Sequence, residues 1–233
     1  MTGRSASTKS SPPPSTSTPA TTPTPSSVRS DPGRTPRPLG GSPGAATCAE
    51  TWRALHEWVL QYLCRPHPQL GRPGAVCPYT RRALETGRLH VLVWPWPVPD
   101  TQALTEIMNK WADWFERVCG DDDGQALLVA FPALPRPSAR RLIEGAQLLL
   151  KTPLAQRGLM VGEFHDGPPP AHGVRNPGFR PFHSPVPLLA LRRMIRPDLV
   201  FLRDDRAQHA AYRTRFPDSA VDNPLEPVPA LNL

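Results

Sequence analysis

The stretch GLMVGEFHDGPPPAHGVRNPGFRPFHSPVPLLALRRM, residues 158–194, decides the fold and holds most of the side chains that could do chemistry. It begins with the apolar run GLMVGEF at 158–164, which predicts a β-strand. A second apolar run at about 186–191 predicts another strand. The prolines between the two runs predict a long, stiff loop. Ordered loops of this length are usually functional, so we looked here first for a site.

Outside this stretch, hydrophobic spacing predicts five helices and two strands. Apolar side chains that recur every three or four residues are typical of amphipathic helices, whereas short apolar runs between turn residues are typical of buried strands. The helices are expected at 48–64, from about Thr80 to Gly87, at 101–118, at about 138–151 and at about 205–215, and the strands at about 88–94 and 125–131.

The order of these elements predicts the fold class. Helices separate the first three strands, whereas the last two strands are joined by the proline-rich loop. This order predicts an α+β domain, a mixed sheet of about four strands with helices packed on it, of the ferredoxin-like sandwich type. The preference for right-handed crossovers narrows the strand order without fixing it.

Composition divides the chain into three parts. Residues 1–46 consist mostly of Ser, Thr, Pro, Gly and Ala and include no aromatic residue. Such a segment buries too little apolar surface to offset the entropy of ordering, so we expect a disordered tail. Residues 47–216 carry all six Trp and all seven Phe and predict a single α+β domain. Residues 217–233 predict a loose C-terminal tail.

Charge and targeting signals limit the classes of partner and the location that the sequence allows. The basic residues of the tail exceed its one acidic residue by four, which leaves +3 of the net charge of +7 for the rest of the chain. This charge does not predict a specific nucleic-acid partner. No apolar run approaches the roughly 18 residues of a membrane span, and no secretory signal precedes the domain. We therefore expect a cytoplasmic protein with reduced cysteines and no membrane partner. The sequence does not specify the oligomeric state.

Glu163 and His165 are the first candidate site residues. They lie two positions apart at the end of a predicted strand, so both side chains project from the same face. This spacing suits a metal or haem ligand with a nearby carboxylate, or a base with the residue that orients it. A strand end that emerges into solvent accounts for the pair equally well. Glu163 is a catalytic candidate, and His165 is a candidate ligand of a haem iron.

The loop adds candidates for binding. Arginine can bind a carboxylate or a phosphate with two parallel hydrogen bonds, although pairing with Asp198, Asp204 or Asp205 is the alternative for any one arginine. The phenylalanines of the loop can pin it to the core. The cofactor-binding candidates in the loop and the strand after it are Arg180, His183 and Arg192. The substrate or loop candidates are Asn176 and Phe179. His172 lies in the same loop.

Cys77 is a second catalytic candidate. It precedes the helix expected from Thr80, and the positive end of a helix stabilises a thiolate. Inert packing in the core is the alternative for a single cysteine. A catalytic pair with His165 would require the two side chains to be adjacent in space.

Four motifs resemble a bacterial family of uncharacterised domains over about residues 50–216. They are PGAVCPYTRRAL, GLMVGEFH, GVRNPGFRPFHSPVPLLALRRM and DLVFL. Members of that family show a PGxVCP-aromatic motif and a loop with the pattern GxxNPxFRPxxSPVPxLA. The resemblance implies that the loop and Cys77-Pro78 belong to a family pattern, and it supplies no activity.

A more distant resemblance is to haem-dependent N-oxygenases, which hydroxylate amines or guanidines. VCPY, VGEFHD and FRPFHSPVPLLALR occur here in the same order as the matching elements of those enzymes. The resemblance implies that His165 is the axial haem ligand and that Arg180 or Arg192 meets the haem propionates. It also implies an amine or a guanidine as substrate. This chain differs in having Asp166 where those enzymes have proline after the histidine.

Two functions therefore remain open. A haem-dependent oxygenase or N-hydroxylase predicts that His165, His183, Cys77 and the arginines converge on one apolar pocket. A non-catalytic binding or accessory module that uses the loop at 166–187 predicts that they are scattered. In that case Phe179, Phe182 and the Trp94–Trp96 segment would form an exposed patch.

Overall fold

A five-stranded mixed sheet lies at the centre of the computed structural model, which describes residues 35–39, 46–167, 176 and 178–218. The strands are β1 (Arg37–Pro38), β2 (Leu89–Val93), β3 (Ala126–Ala130), β4 (Leu159–Phe164) and β5 (Leu188–Arg193). Their order across the sheet is β1-β2-β3-β5-β4. β2 and β3 are parallel, β1 is antiparallel to β2, and β5 is antiparallel to both of its neighbours.

The described part of the chain also forms six α-helices. They are α1 (Ala46–Trp58), α2 (Thr80–Glu85), α3 (Thr101–Cys119), α4 (Arg136–Gln156), α5 (Leu199–Leu202) and α6 (Arg206–Arg215). A π-helical turn at Val59–Leu63 continues α1, and short 3-10 turns lie at Pro68–Leu70 and Arg196–Asp198. Asp100 caps α3 by accepting a hydrogen bond from the Ala103 amide, 2.8 Å away. None of the helices within the described residues is both long enough and apolar enough to cross a membrane.

Helices cover both faces of the sheet. Successive side chains of a strand point to opposite faces, so each strand contributes to two cores. The α3–α4 face, on which α3 and α4 pack, is lined by Leu92, Leu127, Val129, Leu189 and Leu191. The α1–α2 face, on which α1, the π-helical turn and α2 pack, is lined by Val91, Val93, Leu128, Ala130 and Leu188.

The predicted α+β class and the mixed sheet with packed helices are confirmed. The ferredoxin-like detail is not confirmed, because β2 and β3 are parallel neighbours and helices lie on both faces. The fifth strand is β1, which has only two residues and which the sequence pattern did not reveal.

The helix predicted at about 138–151 is longer in the structure, where α4 spans Arg136–Gln156. Pro153 lies inside it, although proline has no N–H group to donate a hydrogen bond to the carbonyl four residues earlier. That carbonyl belongs to Leu149, whose residue is 52% exposed, so water can take the place of the missing donor. The helix therefore continues past this proline and beyond its predicted end at about 151.

β1 lies inside the segment predicted as a disordered tail. Arg37 and Pro38 pair with Val91 and His90 of β2. The next residue, Leu39, donates its amide to the Leu89 carbonyl at 2.8 Å, and its side chain is completely buried on the α1–α2 face. Folding of the chain therefore includes residues upstream of the predicted boundary. Residues 1–34, 40–45 and 219–233, which make up most of both predicted tails, lie outside the described residues.

Leu39→Ala should destabilise the domain if this segment is part of the core. Removing a fully buried leucine side chain costs roughly 2–5 kcal/mol of the free energy of unfolding. Urea denaturation followed by tryptophan fluorescence would measure it. Arg37→Ala, at the exposed neighbouring strand position, is the control and should change the free energy by less than about 0.5 kcal/mol. Equal stability of Leu39→Ala and the native chain would contradict this packing.

Candidate functional site

The predicted site residues lie on opposite faces of the sheet. Glu163 of β4 and His165, just after it, follow the alternation of Leu159 and Val161 and point toward the α3–α4 face. Cys77 packs against the core of the α1–α2 face. The structure therefore places Glu163 and His165 on one face of the sheet and Cys77 on the other.

His165 is completely buried, and its ring is held from both sides. Nδ1 accepts a hydrogen bond from the Gly167 amide at 3.1 Å, so in the neutral ring the proton is on Nε2. Nε2 lies 3.3 Å from Oε1 of Glu144. Burial lowers the pKa of His165, and the charge of Glu144 offsets this only in part. The ring is therefore neutral at pH 7 and presents an N–H group toward a carboxylate.

Glu144 belongs to a polar stripe on α4 that faces β4. Arg140, Glu144, Gln147 and Lys151 are spaced by three or four residues and so lie on one side of the helix. The Arg140 Nε donates to Oε1 of Glu144 at 3.0 Å, and Gln147 donates to the Val161 carbonyl at 3.4 Å. Our sequence analysis missed Glu144, although this helical spacing of polar residues was a signal that could have identified it.

Glu163 completes the cluster as a partly buried carboxyl group. Burial raises the pKa of Glu163, and the nearby Glu144 raises it further, while a hydrogen bond from its own backbone and the charge of Lys151 lower it in part. The Glu144–Glu163–His165 cluster thus contains two carboxyl groups and a neutral imidazole. Burial thus moves the pKa of Glu163 up and the pKa of His165 down, which brings the two values closer together.

The segment 178–187, the described end of the predicted loop, is anchored on the α1–α2 face. Phe179 is 3% exposed, and its ring stacks on His67 with 4.6 Å between ring centroids. The Tyr62 hydroxyl donates to the Arg180 carbonyl at 3.0 Å. Trp58 donates from its indole nitrogen to the His183 carbonyl at 2.9 Å. Phe179 therefore belongs to the core and does not form an exposed patch.

The same segment also runs beside the end of β4. The His165 amide donates to the Phe182 carbonyl at 3.3 Å, and the Ser184 amide donates to the His165 carbonyl at 3.0 Å. The Phe182 ring packs edge-on against Phe164, with 5.3 Å between centroids. The backbones of His165 and His183 are thus neighbours, but the His165 side chain is buried whereas the His183 residue is exposed.

The two predicted arginines are bound within the protein. Arg192 makes two hydrogen bonds to Asp198, of 2.7 and 2.5 Å, and Asp198 is 2% exposed. Asp198 also accepts a hydrogen bond from the Ile195 amide at 2.8 Å. Arg192 therefore forms the salt bridge with Asp198 that was the alternative to cofactor binding. Arg180 donates to the Phe179 carbonyl at 3.2 Å.

The remaining predicted residues have local roles. The Asn176 side chain accepts a hydrogen bond from the Gly178 amide at 2.9 Å, which shapes the turn there. Cys77 lies three residues before α2, and this helix has only six residues, so its dipole is small. His172 lies outside the described residues.

A comparison with protein families identifies the fold family. The family model described as "Domain of unknown function (DUF6875)" matches residues 52–225. The chain belongs to this family. The predicted membership of a family of uncharacterised domains is thereby confirmed, whereas the family motifs and the likeness to haem-dependent N-oxygenases stay predictions. Searches of curated proteins and of solved structures find no match to the chain.

His165 does not fit the role of axial haem ligand in this DUF6875 domain. An iron ligand needs an unprotonated ring nitrogen that faces the metal, with the other nitrogen donating a hydrogen bond. Here Nδ1 accepts from Gly167, and the protonated Nε2 faces Glu144. Within the described part of the chain, no group of three or more His, Cys, Asp or Glu side chains is arranged to hold a metal ion.

Glu163→Gln should stabilise the domain at neutral pH. Folding raises the pKa of Glu163, so its carboxyl group favours folding fully only below the unfolded value of about 4.5 and loses this contribution as the pH rises through the folded pKa. Glutamine does not ionise. The gain in the free energy of unfolding should therefore be absent below pH 4.5 and grow toward neutral pH, as measured by urea denaturation across pH.

Glu106→Gln is the matched control, because Glu106 is exposed on α3. It should show no such increase with pH. A Glu163→Gln variant whose stability relative to the native chain does not depend on pH would contradict the burial of this carboxyl group.

Proposed function

We propose that the chain binds a small amine or guanidine compound at the Glu144–Glu163–His165 cluster and moves a proton there. One observation carries the proposal: Nε2 of the completely buried His165 lies 3.3 Å from Oε1 of Glu144, and Glu163 is a second carboxyl group near Glu144. Titratable groups gathered and buried in this way are typical of functional sites.

The chemistry of the cluster favours a cation. Burial raises the pKa of Glu163, and the charge of Glu144 raises it further. A bound ammonium or guanidinium group would counter both effects and provide N–H donors for the two carboxyl groups. The cation would lower the pKa of Glu163 and so favour release of its proton, and His165 would hold its Nε2 proton beside Glu144. Glu144, held by Arg140, orients the ring.

The resemblance to N-oxygenases implies the same class of substrate, together with haem chemistry. The acidic cluster supports the substrate class. The position of His165 does not support the haem, which would need a different protein ligand. The alternative, an accessory module that uses the loop at 166–187, has less support because Phe179 and Phe182 pack inward rather than forming a binding patch.

Binding of a diamine and of a guanidine would test the proposal directly. Isothermal titration calorimetry with putrescine and agmatine should show binding to the native chain. Glu163→Gln and Glu144→Gln should each weaken it roughly tenfold or more, because a hydrogen bond to a charged group is lost. Binding should also release protons over the pH range in which Glu163 titrates, since the cation lowers its pKa. Titrations in buffers of different ionisation enthalpy measure this release.

The uncharged compound 1,4-butanediol should not bind, and Glu106→Gln should bind both cations like the native chain. Absence of binding by putrescine and agmatine at millimolar concentration would reject the proposal. Equal affinity in Glu163→Gln and the native chain would place any binding elsewhere.

The hypothesis that His165 binds a haem iron makes a separate prediction. Because Nε2 of His165 faces Glu144, haem titration of the native chain and of His165→Ala should give the same absorption spectra. His183→Ala tests the other histidine of the loop, whose side chain is accessible. A Soret band that His165→Ala alone abolishes would show that the ring turns away from Glu144 to bind iron.

A further inference from the structure

Cys64 and Cys77 lie side by side on neighbouring backbone segments of the α1–α2 face. The Val76 amide donates to the Arg65 carbonyl at 2.9 Å, and the Cys77 amide donates to the Leu63 carbonyl at 3.0 Å. An antiparallel bridge between Pro66 and Ala75 continues this pairing. Residues 63–77 therefore form a hairpin, and one of its hydrogen bonds joins Cys77 to the residue before Cys64.

The pairing gives the two cysteines a separation that a disulfide can span. Opposite residues of antiparallel segments have Cα atoms about 4.5–5.5 Å apart, within the range of roughly 4.4–6.8 Å found in disulfides. Both side chains pack in the same core, and the charge of one thiol affects the other. Both thiols are free in the structure; Cys64 is buried, whereas Cys77 is partly accessible.

We propose that Cys64 and Cys77 are a site of reversible oxidation, at which a disulfide forms by exchange with a small disulfide such as oxidised glutathione. The thiolate of Cys77, the more accessible of the two, attacks one sulfur of oxidised glutathione and expels one glutathione thiolate. Cys64 then attacks the Cys77 sulfur and expels the second. The two cysteines lose two protons and two electrons, and two molecules of reduced glutathione form. This inference is independent of the proposed function.

The disulfide would restrict the motion of the hairpin, which contacts the segment 178–187. The ring that it closes contains His67, whose imidazole stacks on Phe179 of that segment. Tyr62, in the π-helical turn just before Cys64, holds the Arg180 carbonyl. Oxidation should therefore slow amide hydrogen exchange both in 63–77 and in 178–187.

Incubation of the full chain with oxidised glutathione, followed by alkylation and peptide mapping by mass spectrometry, tests the site. Trypsin will not separate the two cysteines, because Arg65 and Arg72 each precede proline, so chymotryptic cleavage after Leu70 is used. The native chain should yield a peptide pair joined through Cys64 and Cys77 that dithiothreitol separates. Burial raises the pKa of Cys64, so formation should be faster at pH 9 than at pH 7.

Cys77→Ser should form no disulfide within the chain, and Cys119→Ser, a buried cysteine on the α3–α4 face, should form the Cys64–Cys77 disulfide like the native chain. Cys77 is only partly buried, so its substitution is the variant that is expected to fold, and circular dichroism verifies this. Four thiols that all remain alkylatable after oxidation, or a disulfide that involves Cys48 or Cys119 instead, would overturn the proposal. So would an unchanged hydrogen exchange of the hairpin in the oxidised protein.

Discussion

The rest of the structure depends on the position of β5, which pairs with β3 on one side and with β4 on the other. Because β5 is antiparallel to both, β3 and β4 run parallel to each other, and α4 must cross from one to the other over the place that β5 fills. That crossing lays the polar stripe of α4 along β4. Glu144 thereby comes to lie against His165, although the two residues are 21 positions apart in sequence and neither belongs to a local motif with the other.

Residues with local signals were predicted well, and residues whose roles depend on distant partners were not. Strands β2 to β5 and helix α6 follow from spacing and from residues within a few positions. β1 could not be predicted, because its two residues are ordered only by the edge of β2. The face of the sheet on which Cys77 lies could not be predicted either. α1 and α2 are amphipathic, but the sequence does not specify on which face of the sheet they pack.

The candidate site shows the same division. The alternation along β4 was enough to predict that Glu163 and His165 share a face. It did not show that Oε1 of Glu144 would lie 3.3 Å from Nε2 of His165. Arg192 illustrates the opposite case: six residues downstream lies Asp198, and the structure pairs the two, so a candidate cofactor ligand is a structural ion pair. Charged residues alone do not distinguish these roles, because pairing depends on how the backbone turns between them.

The cluster on one face and the aromatic packing on the other meet at the segment 178–187. Ser184 and Phe182 hold the backbone of His165 through two hydrogen bonds, while Phe179 is stacked against His67 of the hairpin on the opposite face. The imidazole position is therefore set from two sides: by α4 through Glu144, and by the loop through the backbone. Burying a histidine beside a carboxylate costs free energy unless the two groups are paired. The proposed proton transfer at the cluster would account for this arrangement.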